Sequence, residues 1–187
     1  MYNRESLDCD TISYLNRFYE ILEEMIIGMT SAKLVDSISH NFIVQMIPHH
    51  MAAIEMSKNL LQYTRFTPLE NIALNIIKSQ TKSIEDMRNA LDRCTDLKNS
   101  KIDLCSYQRN FIGIIDTMFK QMRNACVSNN INRNFILEMV PHHEGAIRMS
   151  RNLLNYDICD ELAPIAKAII KSQSRGVIEM KQLLCRT

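Results

Sequence analysis

Apolar side chains recur at every third or fourth position through most of the chain, and sustained β-branched alternation is absent. That spacing is the helical period, and it predicts an all-α protein. Tyr14, Phe18, Ile21, Leu22, Met25 and Met29 form the first stripe, on a helix expected over about residues 5–31. The second stripe is Phe42, Met46, His49, His50, Ala53, Met56 and Leu60, within roughly 120° of a helix expected over about 38–63. This face must pack inward, so both imidazoles are expected in the interior. Thr67 as N-cap and Pro68 as first helical residue open a third helix, to about residue 93. Three more helices follow near 104–126, 131–156 and 160–185, with Asp160 as expected N-cap of the last. The links are short, which makes neighbouring helices antiparallel and the whole a six-helix bundle.

The second three helices repeat the first three. Residues 41–61 read NFIVQMIPHHMAAIEMSKNLL, and residues 134–154 read NFILEMVPHHEGAIRMSRNLL. The match runs without a gap from Ser13/Ser106 to Arg93/Arg186, with roughly 40% of pairs identical, a repeat signal over nearly the whole chain. Residues 1–98 and 99–187 are therefore expected as two units packed into one domain with pseudo-twofold symmetry. Their His-bearing helices should meet near the axis. Pro48 and Pro141 precede the two His pairs. Either each helix runs through its proline and kinks, leaving the carbonyl of Val44 or Leu137 unpaired, or it restarts there.

Charge is nearly balanced, with 22 Lys and Arg against 21 Asp and Glu, and no basic block or aromatic-basic stripe points to nucleic acid. The N-terminus is too polar for a signal peptide's apolar core, and no apolar run is long enough to span a bilayer. These features predict a soluble, cytoplasmic protein with no membrane partner, and leave homo-oligomerisation open. The six cysteines are Cys9, Cys94, Cys105, Cys126, Cys159 and Cys185, and none has a cysteine at the equivalent position of the other unit. A disulfide framework is expected to recur with the repeat, so this pattern is read as thiols in a reducing compartment. There is no CxxC.

Duplication retains other donors. His49-His50 pairs with His142-His143, and Met46/Met139, Met56/Met149, Met25/Met118, Met29/Met122 and Met87/Met180 are matched. A Met stripe alone is more often core filling. Adjacent histidines with Met at −3 and +6, kept in both units, favour a metal or small-ligand site. Thioether and imidazole together suit Cu(I), whereas harder ions seldom take thioether. Iron or manganese in a carboxylate-bridged pair is the rival, but that chemistry uses four carboxylates and two ExxH motifs. No ExxH occurs; Glu138 precedes His142 by four residues and its counterpart is Gln45. Glu23/Asp116 and Asp86/Glu179 are the duplicated acids, with Gln80/Gln173 a duplicated amide. A structural bundle without metal is the third reading. Lys58/Arg151 and Lys78/Lys171 read as solvated faces, Ser57/Ser150 and Ser79/Ser172 as helix contacts, and no Gly-rich phosphate loop is present. No catalytic residue is assigned, and an enzyme is disfavoured.

The M-x-P-H-H-x-x-A-I-x-M string, followed by I-I-K-S-Q and a helix ending near Met87 or Met180, resembles the bacterial domain-of-unknown-function family 305. Both units carry it. The resemblance implies a ferritin-like bundle with the His-His pair as functional centre, and some members are secreted or periplasmic copper binders that use Met and His. By that resemblance the ligands are His49, His50, Met46 and Met56, with His142, His143, Met139 and Met149. Met25, Met29, Met118, Met122, Met87 and Met180 are secondary candidates. Members often carry a Glu three residues after the Gln of the last helix, where this chain has Ser83 and Gly176.

Overall fold

A computed structural model describes residues 6–184, which form six helices: α1 (Cys9–Thr30), α2 (Ile38–Leu60), α3 (Thr67–Cys94), α4 (Lys101–Arg123), α5 (Ile131–Leu153) and α6 (Leu162–Leu184). No strand occurs among the described residues. Side-chain oxygens set most helix starts by accepting from the first free backbone N–H groups. Asp8 takes the N–H of Thr11, Ser37 that of His40, Ser100 that of Asp103 and Asn130 that of Arg133. Two expected caps are corrected. Phe66, without a side-chain bond, precedes α3, so Thr67 lies inside the helix. Asp160 falls in a turn, closed by the bond from Leu162 N–H to the Cys159 carbonyl, and α6 begins after it.

Helix α2 packs on α1 and α3, and α5 on α4 and α6; the two units join through α3 against α6 and α2 against α5. Equivalent residues do equivalent work. Asn59 donates from Nδ2 to the Tyr14 carbonyl at 3.0 Å, and Asn152 to the Tyr107 carbonyl at 3.1 Å. All five duplicated Met pairs are buried, whereas the unmatched Met51 is exposed. The helices run through Pro48 and Pro141. At Pro48 helix α1 comes close: a Cβ on Gly28 would lie 2.7 Å from the Pro48 Cβ.

The cysteine reading is corrected. Cys94, at the end of α3, and Cys159, before α6, form a disulfide with their Cα atoms 5.3 Å apart. Bridging depends on the separation and direction of the two Cα–Cβ bonds, not on equivalent places in a repeat. A bond between units joins non-equivalent positions, so it need not recur, and unmatched cysteines carry no information about compartment. Cys9, Cys105 and Cys126 are free and exposed; Cys185 lies outside the described residues. No described helix is long and apolar enough to cross a membrane.

Candidate metal centre

The proline-bearing helices cross so that the two His pairs face each other. The rings of His49 and His142, equivalent residues, stack with centroids 3.7 Å apart. His50 and His143 flank them at 5.8 Å and 5.9 Å from their neighbours. All four are buried. His142 Nε2 lies 3.1 Å from the carbonyl oxygen of His49. A carbonyl only accepts, so this nitrogen carries the proton and the Nδ1 lone pair of His142 is free.

That Nδ1 has no hydrogen-bond partner, nor do Nδ1 and Nε2 of His49 or Nδ1 of His50 and His143. Leaving such groups unpaired in an apolar interior costs about 1–3 kcal/mol each. Burial, reinforced by the neighbouring His142, holds His50 down to about 3, and burial holds His142 down to about 4. His49 and His143 are likewise held well below the ordinary imidazole value, by burial first and then by the other histidines. At neutral pH all four rings are therefore uncharged, the state that coordinates a metal without first losing a proton.

Buried methionines lie on the same helices and on their neighbours. Met46 and Met139 are buried one turn before the His pairs, and Met56 and Met149 nearly two turns after them. Met118 of α4 lies directly on Gly145 of α5, where a Cβ would collide with its Sδ. Met25, Met29 and Met122 are buried on α1 and α4. The ring of His143 rests on α6, with Cδ2 3.1 Å from where a Gly176 Cβ would sit. Gln173 and Met180, about one turn to either side of Gly176, share its buried face. Gln80 and Met87 are their buried equivalents on α3, and neither Gln80 nor Gln173 has any side-chain hydrogen bond.

Among the described residues, only Cys94, Cys159 and Glu161 bring three His, Cys, Asp or Glu ligand atoms within 4.8 Å of one another. No three of the four imidazoles bring ring nitrogens within that distance of one another. Glu138 is the one buried acid among the described residues. Its Oε2 accepts from the Tyr14 hydroxyl at 2.5 Å, and burial pushes its pKa up to about 8. Gln45, its counterpart, donates instead to the Met29 carbonyl at 3.2 Å. Local sequence gives no sign of the Tyr14 pairing, because its halves lie 124 residues apart.

The family profile of DUF305, described as a domain of unknown function, matches residues 23–91 and 39–184. No curated protein matches. Among solved structures, CopM in a silver-bound form obtained by soaking is 28% identical, covering 79% of this chain and 95% of that one at a TM-score of 0.59. CopM in its Cu(II)-bound form is 26% identical, with 79% and 96% covered and a TM-score of 0.59. A DUF305 fragment from Deinococcus radiodurans shares the fold at 22% identity, covering 83% and 99% with a TM-score of 0.60.

Proposed function

The chain belongs to the DUF305 family, and on that footing we propose that it binds copper, as Cu(I), through imidazole and thioether. The role we assign is storage, buffering or resistance, without turnover. One observation carries the reading: four neutral, buried imidazoles with unpartnered nitrogens meet between two units whose matched methionines are all buried. Nitrogen and thioether sulfur in a dry interior select a soft monovalent ion over harder ones. The likeness to CopM, seen with silver and with Cu(II), supports the binding of copper. The ligand set is His49, His50, Met46 and Met56 with His142, His143, Met139 and Met149. Met25, Met29, Met118, Met122, Met87 and Met180 form the outer reserve.

A ferritin-like iron or manganese oxidoreductase finds less support. Its chemistry needs several ionised carboxylates, and Glu138 holds its proton at neutral pH beside the Tyr14 hydroxyl. Anaerobic Cu(I) titration of oxidised protein against a chromophoric chelator tests the proposal. Changing His49 and His50 to Ala should remove about half the capacity, and the same change at His142 and His143 the remainder. Unchanged capacity in both variants overturns the ligand assignment. Iron or manganese in the purified protein, with no competitive Cu(I) binding, overturns the choice of metal.

A further inference from the structure

We propose that Cys94 and Cys159, once reduced, form a separate Cu(I) site of two thiolates, one per chain. Their sulfurs and a Glu161 carboxylate oxygen already lie within 4.8 Å of one another. The pair does not depend on the S–S bond to stay together, because each backbone is tied independently to the first turn of α2. Ser37 Oγ donates to the Cys94 carbonyl at 2.8 Å, and Cys159 N–H donates to Ser39 Oγ at 3.0 Å. Across the same junction Arg93 Nε meets Glu161 at 2.8 Å. Both sulfurs belong to buried residues, Cys94 at a helix end and Cys159 outside any helix. Placing one ion between the sulfurs requires both side chains to rotate apart.

The chemistry balances in two steps. A small dithiol reductant supplies two electrons and two protons; the Cys94–Cys159 bond breaks, two thiols form, and the reductant becomes a disulfide. Each thiol then releases its proton to water as its sulfur bonds Cu(I), giving an anionic bis-thiolate. Arg93, paired with Glu161, offsets that carboxylate at the rim, and thiolates near the N-terminus of α2 are favoured by its dipole. Two thiolates suffice for Cu(I), whereas structural zinc takes four ligands. This site is distinct from the His/Met centre: His49 lies ten residues beyond Ser39 on α2, about 15 Å along the axis.

The test uses the full chain with Cys9, Cys105, Cys126 and Cys185 changed to Ser, so that only this pair remains. Oxidised protein, and protein reduced by a dithiol and desalted under anaerobic conditions, are titrated with Cu(I) against a chromophoric chelator. Reduction should add one equivalent of Cu(I) and a near-ultraviolet thiolate-to-copper band, with helical circular dichroism unchanged. Adding C94S and C159S should abolish both gains while leaving the capacity of the oxidised form intact. Equal capacity before and after reduction, a gain that survives in the double Ser variant, or loss of helicity on reduction overturns the proposal. The His/Met centre is read from the oxidised form, so failure of either site is seen separately.

Discussion

At the level of single residues, the two units differ at a buried polar position. Glu138 is an acid in a position its counterpart fills with an amide, and its folded pKa, near 8, lies well above the ordinary 4.5. The acid form is favoured on folding, so this stabilisation is complete below about 4.5 and is lost as pH rises through 8. The histidines act oppositely. Their folded values lie below 6.5, so their contribution is complete above that value and is lost as pH falls towards about 4 and 3. On these five groups, stability of the metal-free protein should therefore peak at about pH 7. Glu138→Gln should remove this acid's contribution to the decline above pH 7, about 1 kcal/mol between pH 7 and 8 at about 1.4 per unit; urea melts across that range will show it. His50→Leu with His143→Leu deletes two unpartnered Nδ1 atoms. Apo stability should hold or rise by about 1 kcal/mol, and the rise in Tm produced by Cu(I) should shrink or vanish. Clear destabilisation without metal would make these histidines structural.

The helices themselves were legible, because their pattern is local. Apolar period and the short links require nothing beyond a few neighbouring residues. The inward face of α2 was legible for the same reason, and duplication separated His and Met from residues kept in one unit alone. Helices α3 and α6 start away from the caps expected at Thr67 and Asp160, because cap preference is worth only about 1 kcal/mol against the geometry of the preceding turn. Long-range pairings were invisible: nothing near Tyr14 names Glu138, and nothing near Cys94 names Cys159. Close helix packing is testable through glycine. Gly28→Ala sets a Cβ 2.7 Å from the rigid Pro48 ring and should cost about 1–3 kcal/mol as α1 is pushed off α2. Gly113→Ala, at an open position with nothing within 4 Å, should instead gain about 0.5–1 kcal/mol from reduced backbone freedom. Thermal unfolding of both variants decides; similar losses would mean that helix propensity is not the term that separates them.

For the molecule as a whole, the contacts between units determine how far the halves act as one. The disulfide closes a span of 65 residues, and on chain entropy its loss should lower stability by about 4 kcal/mol. The measurement is denaturant unfolding of C94S/C159S beside the oxidised parent, and an unchanged midpoint would show that the bond constrains little. The stack of His49 on His142 has another consequence. His142 holds the His49 carbonyl with one nitrogen and covers the His49 ring with its face. If a metal turns either ring, it changes the surroundings of the other, so the two halves become cooperative partners, and the coupling is reciprocal by thermodynamic necessity. Copper loading should then follow an isotherm whose Hill coefficient departs from one, and replacing either stacked ring by Ala should leave the surviving half to fill as a simple, non-cooperative site.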